Sequence, residues 1–581
     1  MEKRMFTENH FETSDGVSLY YKKWEADIEN PDKAIVLFHR GHEHSGRVEH
    51  IVNELQMPDI PMFAWDARGH GMSPGKRGYS PSMGRTAQDI EEFIHHISEQ
   101  NNIPISNIIV IAQSVGAVSA LTWVHDYAPQ IRGLVLASPA FDVKLYVPFA
   151  KQLIGLAQKI TGSFFVDSYV KAKFLTHDPE RIKSYNEDKL ISKAIAANIL
   201  LELYSVSERI IEDAHSIKTP TLMLVSGADY VVNHKPQHIF YKNLGSEIKE
   251  KHIFDGFYHD TMGEKDRYLA IDKIKDFVNK IYSMPLYKHN YSNEDRWSVT
   301  ADILRELQAE PECCCKKAYF NITKFLLKTI GACSDGVKLG LETGFDSGSS
   351  LDYVYCNKPS GKCLIGKIFD KIYLNSPGWV GIRARKINIE KIIKEAVNRL
   401  SNEGKSVRIV DIAAGHGRYI LDAIGNSDKV EKILLRDYSD INVQKGSALI
   451  KERGLENKAE FEKGNAFSKD ELSNLSINPN IAIVSGLYEL FPNNDNIVNS
   501  LSGLANAVEK GGYLIYTNQP WHPQLEFIAR VLSSHRKGEA WAMRCRTQGE
   551  IDALVQNAGF EKIMQLNDDN AIFTVSLARR V

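Results

Sequence analysis

Short, continuously apolar segments alternate with amphipathic helical stretches in two separate series, and this alternation restricts the possible folds more than any other feature. The first series comprises residues 34–39, 61–66, 107–114, 133–139, 219–229 and 250–256. The second comprises residues 407–411, 431–437, 458–465, 480–486, 512–518, 560–567 and 571–579. Continuous apolar runs of this length are typical of strands buried on both faces of a parallel sheet. The sequence therefore predicts the α/β class, with two independent doubly wound sheets.

The same two series predict how the chain divides into domains, since 581 residues exceed what one hydrophobic core usually supports. The predicted ranges are 1–283 for the first domain, 284–300 for a polar, turn-rich linker, 301–400 for a mixed helical segment that precedes or caps the second domain, and 401–581 for the second core. Residues 141–214 are helical in character and interrupt the first series, so we expect a cap over the carboxyl edge of the first sheet. The apolar surface of this cap could bury itself against the core, meet an apolar substrate or touch a membrane peripherally.

Charge and cysteine content narrow the class of protein. Lys and Arg number 71 and Asp and Glu 73, which gives a formal net charge of −2, and no global basic field favours a nucleic-acid partner. The seven cysteines include the triplet 313–315 but have neither a disulfide pattern nor zinc-site spacing, so we expect reduced thiols and no metal site. No signal peptide and no apolar run of 18 residues are visible, which predicts a cytoplasmic protein. The oligomeric state is not predictable from these features.

A serine follows the strand at 107–114 on what reads as a tight strand-to-helix turn. Ala112 and Gly116 flank Ser114 at the two positions where a strained turn of this kind needs small residues. A helical sequence, AVSALTWVHDY, begins directly afterwards. This context favours Ser114 as a nucleophile.

A serine nucleophile needs a base and an acid that orients the base, and both follow Ser114 in the order expected for this topology. Asp229 lies at the end of the strand at 219–229, and His259 lies in the loop after the strand at 250–256. Because the carboxyl ends of parallel strands meet at one sheet edge, we expect the three side chains to converge. Ser114 would attack an acyl carbonyl, His259 would move the proton and Asp229 would hold the imidazole.

Residues 1–283 resemble the monoacylglycerol lipase and lysophospholipase-like branch of the α/β-hydrolases. The resemblance lies in five motifs in order: HRGHEHSGR (39–47), WDARGHGMS (65–73), AQSVG (112–116), SGADYVV (226–232) and GFYHDTMGEKDR (256–267). It implies an α/β-hydrolase fold with a helical cap, and an oxyanion hole formed by the amides of Gly41 and Val115.

One position departs from that family. Where the family has His-Gly, this chain has His39-Arg40. Arg40 would either alter the backbone beside the oxyanion hole or present a charge to an anionic headgroup. A lysophospholipid therefore stands beside a neutral monoacylglycerol as a candidate substrate.

A glycine-rich turn opens the second series. The strand at 407–411 leads into Asp411-Ile412-Ala413-Ala414-Gly415-His416-Gly417, in which glycines let the backbone approach a ligand and turn into the next helix. A dinucleotide site wants Gly or Ala three residues after the second glycine, and Ile420 stands there. An NAD site is therefore disfavoured.

Two further polar residues complete the candidate cofactor site. Asp437 ends the second strand 20 residues after Gly417, where a carboxylate can accept hydrogen bonds from ribose hydroxyls. Asn465 ends the third strand and could face an adenine amine. With the DxAxGxG turn, which supplies Asp411, Ala413, Gly415 and Gly417, residues 330–581 resemble a Rossmann-like class I methyltransferase that uses S-adenosyl-L-methionine. The whole chain resembles bacterial fusions of an α/β-hydrolase with a methyltransferase.

The methyl-acceptor site is less readable. Tyr488 and Glu489 follow the strand at 480–486, and residues 518–522, which end in His522, follow the next strand. Tyr488 or His522 could act as a base, or both could be structural. Residues 341–385 could cover the cofactor or form the acceptor pocket, and their Arg383 and Arg385 could bind a phosphate or be solvated.

These observations predict a bifunctional enzyme that acts on small-molecule or lipid substrates. The first half would be a serine ester hydrolase for an acyl ester, and the second half a methyltransferase of unknown acceptor. A non-lipid esterase, a peptidase or a non-catalytic docking domain remain alternatives for the first half. A small-molecule or RNA methyltransferase are the alternatives for the second.

Overall fold

The computed structural model describes residues 3–147, 149–168, 170–425, 427–536 and 539–581. Two residues of the predicted cap, at 148 and 169, lie outside this description. The chain forms two compact units, residues 1–289 and 290–581, each with its own sheet. The unit boundary falls inside the segment expected to be a linker.

The first unit is built on an eight-stranded sheet. Its strands, with the two of the cap, are β1 (Phe6–Glu12), β2 (Ser18–Trp24), β3 (Ala34–Phe38), β4 (Met62–Trp65), β5 (Ile108–Gln113), β6 (Gly133–Ala137), β7 (Phe165–Asp167), β8 (Ala194–Ala196), β9 (Thr221–Ser226) and β10 (Lys249–Phe254). The sheet order is β1-β2-β4-β3-β5-β6-β9-β10. Strands β3, β4, β5, β6, β9 and β10 run parallel to one another, and β1 and β2 add an antiparallel edge.

Helices cover both faces of this sheet. The helices of this unit, of which α4 and α5 lie in the cap, are α1 (Glu49–Glu54), α2 (Met83–Asn101), α3 (Val115–Tyr127), α4 (Ala150–Thr161), α5 (Pro179–Glu187), α6 (Ala197–Glu212), α7 (His234–Asn243) and α8 (Tyr268–Ser283). Alternate residues of β3 point to opposite faces: Val36 packs towards α2 and α3, and Ile35 packs towards α1 and α8. Burial on both sides explains why these strands are apolar throughout.

The second unit contains a seven-stranded sheet in the order β13-β12-β11-β14-β15-β17-β16. Its strands are β11 (Val407–Asp411), β12 (Val430–Asp437), β13 (Ala459–Lys463), β14 (Ile481–Val484), β15 (Tyr513–Asn518), β16 (Phe560–Asn567) and β17 (Thr574–Arg580). Only β17 is antiparallel to its neighbours β15 and β16. The chain order reverses between β11 and β14, which opens a crevice at the carboxyl ends of these strands.

Twelve helices are described in the second unit. They are α9 (Val299–Gln308), α10 (Cys314–Thr329), α11 (Asp335–Thr343), α12 (Gly348–Cys356), α13 (Leu364–Leu374), α14 (Pro377–Asn402), α15 (Arg418–Ile424), α16 (Asp440–Glu452), α17 (Lys469–Ser473), α18 (Asn494–Ala507), α19 (Leu525–Val531) and α20 (Gln548–Asn557). Helices α14, α15 and α16 pack on one sheet face, and α18 and α20 pack on the other.

The predicted α/β class with two separate sheets is confirmed. One local expectation needs correction. The cap expected to be helical also contains an antiparallel strand pair, β7 and β8. The mixed helical segment expected at 301–400 contains helices α9 to α13 and most of α14. Across the described ranges, no helix is both long enough and apolar enough to cross a membrane.

Candidate active sites

Ser114 occupies the sharp turn between β5 and α3. Its backbone angles are φ 57° and ψ −122°, a strained region for a residue with a side chain, and its amide donates to Ala137 O at 2.9 Å. A Cβ atom on Gly116 would stand only 2.2 Å from the carbonyl oxygen of His39. Glycine is therefore required at 116 for α3 to start this close to β3, and the turn places the Ser114 hydroxyl at the carboxyl edge of the sheet.

The three residues that the sequence places in order meet in space. His259 Nε2 lies 2.7 Å from Ser114 Oγ, and His259 Nδ1 lies 2.7 Å from Asp229 Oδ2. All three residues are buried. Because a carboxylate can only accept, Nδ1 carries the ring proton, and Nε2 is left to accept the proton of the serine hydroxyl.

Asp229 is held in place by its own loop. Its Oδ1 accepts from the amides of Val231 at 2.7 Å and Val232 at 3.0 Å. Burial alone would raise the pKa of Asp229, but the facing imidazole of His259 and these two amides outweigh burial and hold the pKa below its usual value. The carboxylate is therefore charged when it orients the imidazole.

A cavity opens above Ser114 and is shared by the sheet edge and the cap. Gly41 and Val115 line it beside Ser114, and a Cβ on Gly41 would lie 2.9 Å from Val115 Cγ2. The two residues implied as oxyanion donors are thus adjacent. The rest of the cavity wall is mainly aliphatic: Ala140, Val143, Leu145, Val166, Val170, Leu175, Ile195, Leu200, Leu203 and Val231.

Arg40 lines the same cavity but is part of a buried ion-pair network. Its guanidinium donates to Glu43 at 2.5 and 2.9 Å and lies 3.2 Å from Asp260, which also binds Arg181 at 2.9 Å. Burial opposes the charge of Arg40, but Asp260 and Glu43 outweigh it and raise the pKa of the guanidinium. Arg40 therefore fixes the loop beside Gly41, one of the two residues implied as oxyanion donors. Its Nη1 is buried and has no hydrogen-bond partner within the described part of the chain.

In the second unit the glycine-rich turn lies between β11 and α15. Gly415 and Gly417 have φ values of +58° and +71°, and Gly417 N donates to Ala414 O at 2.7 Å. A Cβ on Gly417 would meet Leu435 at 2.4 Å, whereas a Cβ on Gly415 would find its nearest neighbour at 3.8 Å. The backbone at Gly415 thus faces open space of the kind that a ligand approaching the main chain requires.

Asp437 lies beside this turn. Its Oδ2 accepts from Gly415 N at 2.9 Å, and its Oδ1 accepts from Ser439 N at 2.9 Å and Asn442 Nδ2 at 3.0 Å. Asn465, at the end of β13, is exposed, and its side-chain oxygen accepts from Phe467 N at 3.0 Å. The carboxylate at the end of β12 is therefore next to the glycine turn, as a ribose-binding role requires.

Asp411 lies beneath the turn. It is fully buried, accepts from Ala413 N at 3.1 Å and receives a short hydrogen bond from the Tyr419 hydroxyl. Burial raises the pKa of Asp411 to about 7, against the opposing effect of these hydrogen bonds. The position supports the backbone of the turn, and a ligand on the turn would contact Ala413 and the glycines.

Helix α12 covers the turn, a role that the sequence assigned only to the broad segment 341–385. Asp352 pairs with Arg418 and lies 3.7 Å from His416 Nδ1. Tyr355 and Gly348 of the same helix line the cleft with Gly415. The spacing of α12 carries no motif for this role, so sequence reasoning did not find Asp352 or Tyr355.

A buried Arg–Glu pair lies beside the cleft, which Arg385 lines. Arg385 of α14 stacks over the Phe573 ring at 5.0 Å, and its Nη1 lies 3.7 Å from Glu489. Glu489 accepts from Thr517 Oγ1 at 2.7 Å, and both residues of the pair are at least nine-tenths buried. Arg385 Nε, Glu489 Oε2 and His416 Nε2 have no hydrogen-bond partner among the described residues. Such orphaned polar atoms beside an open glycine turn fit a polar, zwitterionic cofactor such as S-adenosyl-L-methionine.

Two further candidates on this side are buried and hydrogen-bonded within the unit. Tyr488 is buried, its hydroxyl donates to Ser500 at 2.9 Å, and burial raises its pKa, which opposes formation of the phenolate that a base requires. His522 accepts from Gln524 N at Nδ1, which puts its proton on Nε2, and burial lowers its pKa to about 4. It is therefore a neutral donor. Arg383 donates to Leu374 O at 2.8 Å and ties two helices together.

The cysteine triplet at 313–315 is exposed at the start of α10. Within the described ranges, no three His, Cys, Asp or Glu side chains come together in a way that could hold a metal ion.

Comparison with protein families agrees with both architectures. Residues 29–266 match the family described as "Serine aminopeptidase, S33", and residues 274–580 match the family described as "Putative methyltransferase". A relative in Escherichia coli (strain K12), "Uncharacterized protein YnbC", is 54% identical over 574 residues, which are 99% of this chain and 98% of that protein.

The matches to monoacylglycerol lipases cover less than half of this chain. The monoacylglycerol lipase of Mycolicibacterium smegmatis is 23% identical over 47% of this chain and 96% of its own length. The crystal structure of the Paleococcus ferrophilus monoacylglycerol lipase is 24% identical, covers 45% of this chain and 99% of its own, and has a TM-score of 0.41.

Proposed function

Since the chain belongs to the family described as "Putative methyltransferase" and carries a hydrolase unit related to monoglyceride lipases, we propose that it is a bifunctional enzyme. The first unit would hydrolyse an acyl ester through a serine nucleophile. The second would transfer a methyl group from S-adenosyl-L-methionine. The observation that carries the first proposal is the pair of 2.7 Å contacts that joins Ser114, His259 and Asp229.

The first half-reaction follows from this geometry. Ser114 Oγ attacks the acyl carbonyl carbon while its proton passes to His259 Nε2, and Asp229 stabilises the imidazolium that forms. The amides of Gly41 and Val115 stabilise the oxyanion of the tetrahedral intermediate. When the ester C–O bond breaks, His259 returns the proton to the leaving alcohol, and the acyl group remains on Ser114.

A water molecule then hydrolyses the acyl-enzyme with the help of the same residues. His259 takes a proton from a water molecule, whose oxygen attacks the acyl carbon. The acid leaves as the proton returns to Ser114. The enzyme is regenerated without a cofactor.

The cavity wall supports an acyl chain as the group that is bound. Its aliphatic lining would bury methylene groups, each of which contributes about 0.8 kcal/mol. Arg40 offers one Nη1 donor, but its charge is countered by Glu43 and Asp260. This favours a neutral polar headgroup, as in a monoacylglycerol, over the anionic headgroup of a lysophospholipid. The family description "Serine aminopeptidase" keeps a peptidase as the second candidate.

Fluorophosphonate labelling and a series of 4-nitrophenyl esters test this proposal. We expect one label per chain, on Ser114, and kcat/KM that rises with acyl length from C2 to at least C8. Ser114→Ala should abolish both, with a loss of about 10⁴-fold or more. The exposed Ser283, whose hydroxyl donates to Lys280 O, supplies the matched control Ser283→Ala. Faster turnover of aminoacyl anilides than of any ester would assign a peptidase, and labelling that survives in Ser114→Ala would contradict the mechanism.

The second unit would position a cofactor and an acceptor. When bound, S-adenosyl-L-methionine supplies an electrophilic methyl group on its sulfonium. The carboxylate of Asp437 would accept from ribose hydroxyls, Asn465 would face the adenine amine, and the main chain at Gly415 would allow close approach. Glu489 Oε2 is buried without a hydrogen-bond partner in the described chain, and we propose that it receives the proton of a hydroxyl or amine acceptor.

Calorimetry with S-adenosyl-L-methionine tests the cofactor site. Asp437→Ala should weaken binding by about 10-fold or more, because two ribose hydrogen bonds are lost. Asp428, at the opposite end of the sheet and fully exposed, supplies the control Asp428→Ala. Equal affinities of the wild type and both variants would refute the assignment of Asp437.

The acceptor can be sought directly. Incubation with methyl-labelled cofactor and a total lipid extract, followed by mass spectrometry, identifies a lipid that gains the label. Labelled RNA or a labelled soluble metabolite would select one of the other acceptor classes.

A cytoplasmic location and peripheral membrane contact through the cap are also part of the proposal. The cap helix α4 leaves Leu153, Leu156 and Ile160 exposed.

A further inference from the structure

Helix α13 of the second unit carries its large apolar side chains on the outside. Leu364, Ile365, Ile368, Phe369 and Ile372 have exposed fractions between 39% and 74%. At 100° per residue these five positions fall within an arc of about 140° on one side of the helix. An amphipathic helix of a soluble domain normally turns such a stripe inwards, so α13 is inverted.

The opposite side of α13 is fixed to the unit, which prevents the stripe from turning inwards. Buried Asp370 accepts from Ser334 Oγ at 2.5 Å, Gly336 N at 2.9 Å and Ser360 N at 2.9 Å. A Cβ on Gly366 would lie 2.2 Å from the carbonyl oxygen of Cys333. These contacts set the rotation of α13 about its axis and leave the apolar stripe facing out.

Helix α10 presents a second apolar stripe next to the first. Its exposed side chains, continued by the residue that follows the helix, are Tyr319, Ile322, Phe325, Leu326 and Ile330, with exposed fractions between 45% and 66%. The short helix at residues 331–333 contacts both α10 and α13. We call these ten exposed side chains together the α10–α13 surface.

The segment that carries the α10–α13 surface is rich in lysine. Residues 313–375 contain nine lysines and five acidic residues, and two of the acidic residues, Asp346 and Asp370, are buried. Within the described chain, Lys316, Lys317 and Lys338 form ion pairs, and six other lysines of this segment have none: Lys324, Lys328, Lys358, Lys362, Lys367 and Lys371. The segment is therefore cationic in a chain whose net charge is −2.

We propose that the α10–α13 surface binds the interface of a lipid bilayer that contains anionic lipids. Aliphatic and aromatic side chains would enter the boundary between headgroups and acyl chains, and the long lysine side chains would reach the anionic headgroups at its rim. A second copy of the chain is a poorer occupant, because the two cationic segments would repel each other. The contact would place the second unit at a lipid surface, and it does not depend on either proposed activity.

Co-sedimentation of the full chain with vesicles tests the proposal. We expect binding to vesicles of phosphatidylglycerol and phosphatidylcholine, weaker binding to pure phosphatidylcholine, and loss of most of the difference in high salt. Lys324→Glu combined with Lys367→Glu should weaken binding to the anionic vesicles roughly 30-fold. Phe325→Asp combined with Ile368→Asp should remove most of the binding to both.

Two control variants make the result specific. Val498 of α18 is also an exposed aliphatic residue, 45% accessible, and Val498→Asp should bind vesicles as the wild type does. Leu156→Asp with Ile160→Asp alters the apolar side of the cap helix α4, the other surface that is proposed to contact a membrane. This variant should keep most of the vesicle binding. Circular dichroism and light scattering of each variant show whether it folds and whether it is monomeric.

Three results would overturn the proposal. The first is an absence of vesicle binding by the folded wild type. The second is binding that the cap variant abolishes and the α10–α13 variants leave intact. The third is self-association of the wild type that Phe325→Asp with Ile368→Asp removes, which would identify a second copy as the occupant.

Discussion

Single residues define both candidate sites, and the structure separates those that lie in the sites from those buried behind them. Ser114, His259 and Asp229 form the hydrogen-bonded series that acyl transfer needs. Asp411, by contrast, is buried under the glycine turn. The order of the first three along the chain made them predictable, whereas nothing in the spacing of Asp411 distinguishes a ligand contact from a support.

Arg40 should be costly to remove because its partners are buried with it. Arg40→Met leaves Glu43 and Asp260 facing each other with less compensation, and we expect a loss of about 3–5 kcal/mol in the free energy of unfolding. The double variant Arg40→Met, Glu43→Gln should recover part of that loss. Urea denaturation of the four proteins in this cycle measures the coupling, and strictly additive losses would contradict a shared network.

The raised pKa of Asp411 makes stability depend on pH. Its pKa is about 7 when folded against 3.8 when exposed, so the folded state retains a proton that the unfolded state has lost. The stabilisation is complete below pH 4 and is lost as pH rises towards 7. Between pH 5 and pH 8 the wild type should lose roughly 2–3 kcal/mol more than Asp411→Asn. Urea midpoints at the two pH values measure this, and identical pH dependence of the two proteins would refute it.

Burial decides which strands can be predicted from the sequence. Strands such as β3, β5 and β11 are buried on both faces, and their apolar runs marked them clearly. Strands β1 and β2 were not predicted because they form an edge hairpin with many polar residues. The short pair β7 and β8 gave too little pattern for detection. Helices α11 to α13 are separated by Gly- and Ser-containing turns that read as loop, so the cover over the glycine turn was predicted only as a segment.

The strand-to-helix turn of the second unit offers a matched pair of substitutions. Gly415→Ala and Gly417→Ala each place a side chain at positive φ, which costs about 1–2 kcal/mol. Gly417→Ala also drives a Cβ against Leu435, whereas Gly415→Ala projects into open space. We expect the larger loss of stability from Gly417→Ala and the larger loss of cofactor affinity, relative to stability, from Gly415→Ala. Thermal unfolding and calorimetry compare them, and the reverse ranking in both would contradict the orientation of the turn.

At the scale of the whole molecule, the two candidate sites belong to two compact units with separate sheets. Each site is assembled from residues of its own unit. The sequence predicts a division into two domains from its two alternating series, of which the first contains the serine turn and the second the glycine turn. The inverted stripe of α13 was not predictable, since a periodic pattern gives the apolar side of a helix without its direction.

Separate units predict separable activities. Ser114→Ala should abolish ester turnover and leave the affinity for S-adenosyl-L-methionine unchanged within twofold. Asp437→Ala should do the reverse. Both activities are measured on each purified full-length variant, with circular dichroism to confirm folding. Loss of both activities in either folded variant would contradict independent sites.

The presence of both units on one polypeptide also fixes their stoichiometry. Translation of a single message yields one hydrolase unit for each methyltransferase unit, so a cell cannot raise the dose of one without the other. If both proposed activities operate, the ratio of their fluxes is set by the two turnover numbers and by substrate supply. Transcription and translation change both units together, so under the proposed function the balance between the two reactions depends on catalysis at Ser114 and at the glycine turn.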